Sequence, residues 1–207
     1  MIFYMLSLND KFAELRNRIA HGPSLRGHGV EPVYYLVFPC SEIILVKEKT
    51  SAWLGELRNS GWDAHELSIG RIVTEHLQSH PLLKAMQAGE KMLLRTKGAQ
   101  NMDAFLRDIG SSLQDLVMPQ GKLHPALVAR LEAEVTASNQ RPKGLLIFTD
   151  IEALHPLIRI NVIENHLTGK VKQPIVVLYP GKRHDQTTLR FLEFYPPDPN
   201  YRSEHIG

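Results

Sequence analysis

Three short runs of apolar, strand-favouring residues limit what this chain can fold into. They are Val33 to Phe38 (VYYLVF), Leu145 to Phe148 (LLIF) and Pro174 to Tyr179 (PIVVLY). A strand with one wet face alternates apolar and polar side chains, so an unbroken run marks a strand covered on both sides. Pro39 stops the first run, Thr149-Asp150 the second and Pro180-Gly181 the third. Trp62 to Leu67 (WDAHEL), with mixed faces, and Leu189 to Tyr195 (LRFLEFY) read as two further strands.

Between these runs the apolar period becomes helical. Phe12, Leu15 and Ile19 recur on one face behind Asn9, which predicts a first helix capped by Asn9 and ending near Gly22-Pro23. A second helix buries Val46, Trp53, Leu54 and Leu57 and closes at Gly61. Residues 69–138 contain only helical patterns, the clearest beginning near Met102 and another following Pro125. Pro156 stands where a first-turn proline starts a helix that buries Ile160, Ile163 and Leu167. Strands separated by helices predict an α/β fold, with a mostly parallel sheet of about five strands between helical layers. Residues 1–207 are expected to form one domain, with 69–138 a helical insertion and 196–207 an extended tail over the surface.

Composition narrows the function classes. A chain of 207 residues, 43% hydrophobic and 22% charged, can bury a sizeable core. Lys and Arg total 24 against 22 Asp and Glu, which leaves no dominant electrostatic footprint for nucleic acid. Cys40 is the only cysteine, so no intramolecular disulfide is possible. The apolar start MIFYMLSL meets Asp10 too soon for a spanning helix and lacks a leader pattern, so a cytoplasmic protein is expected.

The segment LLIFTDIEALHPL, residues 145–157, carries the sharpest chemical hint. Apolar residues ending in an acid at a strand terminus resemble the Walker B element of AAA+ ATPases, whose acid holds magnesium beside nucleotide phosphates. Thr149 stands at the magnesium-holding position, Asp150 at the catalytic position, and Glu152 two residues on. No phosphate cradle precedes them. The first strand is followed by PCSEIILVKEKTS, without glycine, and Lys49-Thr50 lies well downstream. The fold therefore resembles a degenerate P-loop or AAA+-like core without a Walker A loop, and the acids are expected to cap the following helix.

Other constellations are thinner. His76 and His80, four residues apart, share a helix face as a zinc pair would, but no third ligand is evident. Cys40 lacks a positive environment, and Glu42 nearby disfavours its thiolate. His184-Asp185 is expected to form a turn. No catalytic, cofactor-binding or metal-binding residue is assigned.

The C-terminal third resembles the BrxB family of BREX bacteriophage-exclusion systems. The matching residues are Pro156, Arg159, Asn165, Pro180, Gly181, Lys182, Gln186, Asn200, Tyr201 and Arg202. The usual glycine-bearing turn is HDQT here, at residues 184–187. The resemblance implies a non-catalytic scaffold or adaptor working beside an AAA+ ATPase, a PglZ-type protein and an adenine-specific DNA methyltransferase. A nucleotide sensor and a nucleic-acid-binding accessory subunit are the alternatives. Sites in open α/β sheets gather beyond the carboxyl ends of the strands. That places the expected partner-binding residues at Asp150, Lys182, Arg183 and Gln186.

Overall fold

The computed structural model describes residues 6–22, 31–97, 102–185, 187–199 and 203–207. Five strands run parallel in the order β2-β3-β4-β1-β7: β1 Val33–Phe38, β2 Asp63–Ser68, β3 Gly144–Thr149, β4 Ile175–Arg183 and β7 Glu204–Ile206. Beyond the parallel core, β4 pairs antiparallel with β5 (Thr188–Phe191), which pairs with β6 (Asp198–Pro199). The sheet thus has seven strands rather than about five.

Every residue of β1 and β3 is buried, and β4 is buried from Ile175 to Gly181. These central strands alternate between two cores, as the period of two requires. Tyr35, Val37, Phe148 and Val177 face α3 (Ile69–Ser79), α6 (Pro125–Gln140) and α7 (Ile160–Leu167). Tyr34, Leu36, Ile147 and Val176 face α1 (Leu8–His21) and α2 (Ile43–Asn59). The Phe12 and Trp53 rings stack at 4.6 Å and join α1 to α2. β2 occupies an edge, which explains its mixed faces: Ala64 is fully buried while Glu66 is exposed.

The helices between β2 and β3 are α3, α4 (Pro81–Lys97), α5 (Met102–Val117) and α6. Leu116, Val117, Leu127, Leu131 and Val135 are buried, so α5 and α6 pack on the sheet's core. By contrast, Leu82 and Met92 of α4 are exposed. At the end of α6 the Asn139 side chain replaces missing backbone partners: its Nδ2 donates to the Lys170 carbonyl and its Oδ1 accepts from the Lys172 and Gln173 amides.

Four local expectations are corrected. The cap of α1 is Ser7 rather than Asn9, because Ser7 and Asp10 form a reciprocal capping box. Pro156 does not open a helix; α7 begins at Ile160, after a 3-10 turn at Ile151–Leu154. β5 stops at Phe191, where Leu192 and Glu193 turn the chain with φ of 49° and 61°. The tail is not an extended surface segment throughout: Tyr34 to Leu36 pair with Glu204 to Ile206, and Ile206 is only 1% exposed. Arg18 secures this strand to α1, its Nη1 lying 2.5 Å from Glu204 Oε1.

Ile206→Ala should therefore lower unfolding stability by about 2–3 kcal/mol, since a buried isoleucine is truncated within a closed core. Urea denaturation measures this, and a loss below roughly 0.5 kcal/mol, the range of exposed substitutions, would place the side chain outside the core.

Candidate functional site

Register brings the carboxyl ends of the parallel strands to one edge. Phe38 lies opposite Pro180, and Ser68 opposite Thr149. Pro39-Cys40, Thr149-Asp150 and Gly181 to Arg183 consequently share that edge, although their sequence positions are far apart.

The first cluster there centres on Lys47. Burial of Val46, Thr50, Trp53 and Leu57 orients α2, and Lys47, beside Val46, projects over the strand ends. Its Nζ lies 2.8 Å from Asp150 Oδ1 and 2.6 Å from Glu152 Oε1. Asp150 adopts the left-handed region, φ 56° and ψ 31°, which aspartate tolerates better than most residues. Ser68 Oγ donates to Asp150 Oδ2 and accepts from the Arg71 amide, so one hydroxyl fixes the acid and caps α3. Thr149 Oγ1 donates to Glu66 Oε1 at 2.8 Å. Gly70 allows α3 to come this close, because a Cβ there would lie 2.8 Å from the Asp150 carbonyl.

Electrostatics follow from the geometry. Burial alone would raise the Asp150 carboxyl, but hydrogen bonds from Lys47 and Ser68 outweigh it and hold the pKa below the ordinary value. Burial would likewise lower the Lys47 ammonium, yet Asp150 and Glu152 hold it above the usual lysine range. The triad borders a cavity of about 290 Å³ that Thr50, Ser51, Glu66 and Thr149 also line. Its ammonium lies between two carboxylates and forms an ion pair with each. Sequence reasoning missed Lys47 because it looked for a lysine in a glycine-rich loop. The available signal was a cation early in the helix after β1.

A second cluster lies around β4 and β5. Glu193 accepts from the Cys40 amide at 3.1 Å and pairs with Lys182 Nζ at 3.1 Å. Lys182 is itself opposite Arg190 in the antiparallel ladder, so Glu193 offsets a like-charge cross-strand pair. Arg183 Nε donates to the Asp185 carbonyl, and Asp185 Oδ1 accepts from the Thr187 amide. Lys182 and Arg183 are exposed, whereas Asp150 is turned into its ion triad. Gln186 lies outside the described residues. Burial and the Glu193 charge push the Cys40 thiol up, the opposite of an activated nucleophile.

The histidine pair gains a neighbour that sequence did not reveal. The His124 ring lies 4.5 Å from that of His76 and 6.3 Å from that of His80. Yet His80 Nδ1 accepts from the Leu82 amide, His124 Nδ1 from the Ala126 amide, and His76 Nε2 faces the Leu116 carbonyl. These rings cap and brace helix ends. Among the described residues no group of His, Cys, Asp and Glu is arranged to hold a metal ion.

Asp150→Asn should destabilise the protein by about 1–2 kcal/mol at neutral pH, a charged hydrogen-bonded group discounted for partial exposure. Because the folded pKa of Asp150 is depressed, the wild-type advantage is complete above the unfolded value near 3.8 and is lost as pH falls through the lower folded value. Urea midpoints of the two proteins across this range check it. A gap that persists unchanged into strong acid would refute the linkage.

No helix among the described residues is long and apolar enough to cross a membrane. A comparison with the curated proteins finds no match, and neither does a comparison with solved structures. The family model described as BREX protein BrxB matches residues 66–206. That span holds the second half of β2 and all of β3 to β7, including Asp150 and Lys182, and leaves out β1 and Lys47. The chain therefore belongs to the BrxB family of BREX proteins.

Proposed function

We propose that this chain is a non-catalytic, cytoplasmic scaffold or adaptor of a BREX-type phage-defence complex, docking another component through the carboxyl edge of its sheet. The observation that carries this reading is the Lys47 triad. An acid that assists phosphoryl transfer must meet magnesium or the attacking nucleophile. Asp150 and Glu152 instead hold an ammonium of the same chain. Thr149, at the magnesium position of the Walker B resemblance, directs its hydroxyl to Glu66. The edge is thus suited to recognition, and its exposed Lys182 and Arg183 offer charge to an acidic partner surface. Membership of the BrxB family supports the setting, and an AAA+ ATPase and a PglZ-type protein are the proposed partners.

A nucleotide sensor is the second reading, and the cavity beside Lys47 and Thr50 favours it. On that view the sheet is a P-loop-like core that has lost its phosphate loop. Nucleotide would then have to displace two carboxylates from Lys47, at a cost that charge-assisted hydrogen bonds make large.

Two outcomes are expected. Calorimetry with Mg-ATP up to about a millimolar gives no saturable heat, a bound equivalent to roughly −4 kcal/mol. A micromolar dissociation constant, or magnesium-dependent turnover lost in Asp150→Ala, would favour the second reading. In pull-downs, a Lys182→Glu, Arg183→Glu variant with wild-type thermal stability recovers on the order of tenfold less of the ATPase or the PglZ-type protein, as loss of central charged contacts requires. Undiminished recovery of both would remove this edge as the docking surface.

A further inference from the structure

Three histidines meet where the helices of the insertion join. His76 lies in the last turn of α3, His80 follows that helix and precedes α4, and His124 caps the start of α6. Their rings close a triangle. The centroids lie 4.5 Å apart for His76 and His124, 5.9 Å for His76 and His80, and 6.3 Å for His80 and His124. All three side chains are half-buried. The end of α5 joins them through the Leu116 carbonyl, 3.1 Å from His76 Nε2.

The hydrogen bonds fix which nitrogen carries the proton. His80 Nδ1 accepts from the Leu82 amide at 3.3 Å, and His124 Nδ1 from the Ala126 amide at 3.2 Å. A nitrogen that accepts is unprotonated, so both rings are neutral, with hydrogen on Nε2. A further proton would have to settle on Nδ1 and would set two donors against each other. At His124 it would also place positive charge at the amino end of α6, where the helix dipole has the same sign. His76 donates to a carbonyl, so its Nδ1 can take a proton without loss of that bond, and its charge then opposes the other two rings. Burial, followed by the charges of His76 and His80, pushes His124 below the usual imidazole range. Among the described residues no carboxylate forms an ion pair with any of the three rings. Glu75 on α3 pairs instead with Arg130 on α6 at 3.4 Å, while Lys84 on α4, Asp115 on α5 and Lys122 before α6 are exposed.

We propose that this triangle is an acid-sensitive clasp: closed while the imidazoles are neutral, it opens as they take up protons and frees the α3–α4 corner from the start of α6. The clasp stands apart from Lys182 and Arg183 and does not depend on the scaffold reading. The first proton goes to His76, which keeps its bond. Any further proton must break a cap while facing a like charge, so opening is steeper than the titration of an isolated histidine. The helix set free is α4, whose Leu82 and Met92 are already exposed and whose Leu82 amide is held by His80. Because His124 is lowered in the folded state, its contribution is complete above the ordinary value of 6.5 and is lost as pH falls through the lower folded value.

Hydrogen exchange of the whole chain, read by mass spectrometry at about pH 7.5 and about pH 5.5, tests the clasp across the imidazole range. After correction for intrinsic rates, peptides holding Leu82 and Ala126 should lose on the order of tenfold in protection at the lower pH, as two lost capping bonds require. Peptides from β3, which pairs with β2 and β4 and not with the clasp, should keep theirs. A His80→Asn, His124→Asn variant replaces both rings by side chains that cap without titrating, and its protection should be the same at both values. Wild-type protection that does not change, or an equal acid loss in the double variant, overturns the proposal. Should the double variant unfold near neutral pH, ring-proton magnetic resonance of the wild type decides, with His124→Asn identifying the His124 signal. A His124 midpoint below 6.5 that rises in His76→Gln supports the clasp. A midpoint at or above 6.5, or one indifferent to His76→Gln, overturns it.

Discussion

In β1, β3 and β4 the backbone hydrogen-bonds to neighbouring strands while side chains on both faces pack under helices. A chain with such strands cannot leave either face wet, because each face is a continuous apolar surface. The rest of the molecule follows from that requirement. Helices α1 and α2 cover one face, and α3, α6 and α7 the other. Polar side chains are driven to the strand ends and edges, where water or an opposite charge can meet them. The carboxyl edge is consequently the meeting place of groups that sequence keeps far apart.

At that edge two clusters show different solutions to the same problem. Asp150 and Glu152 are partly shielded, and Lys47 answers both. Around β4 and β5 the charges lie outward. There Glu193 anchors Cys40 and Lys182, while Lys182 and Arg183 stay exposed. An inward ion cluster stabilises local geometry. Exposed cations on a short hairpin are available to a second surface. The left-handed residues Asp150, Leu192 and Glu193 lie within these clusters and aim their chains where regular structure would not.

Much of the architecture was legible because burial writes itself into periodicity. The VYYLVF, LLIF and IVVLY runs became β1, β3 and most of β4, and the pattern from Met102 became α5. Errors clustered where short-range chemistry offered equivalent choices. Asn9 and Ser7 are both competent caps, and only the reciprocal bond to Asp10 selects Ser7. Pro156 fits a helix start as well as the turn that it occupies. The tail carried too few apolar residues to announce a strand, yet Ile206 found a place in the core beside β1.

Sequence by itself determined that the chain is α/β, that its central strands are buried on both faces, and that it resembles the BrxB family. It also marked the strand end at Thr149-Asp150 as chemically unusual. Only the tertiary structure decided what meets that strand end. Ser68 and Asp150 are 82 residues apart, and Cys40 and Glu193 are 153 apart. Their contacts depend on strand order and register, which no local pattern encodes. The same holds for His124 beside His76, and for Asn161 beside Asp198. Periodicity reports which face of an element is buried, because that is a property of neighbours along the chain. Which distant charge faces which depends on how the elements pack together, and that is fixed only once the whole core closes.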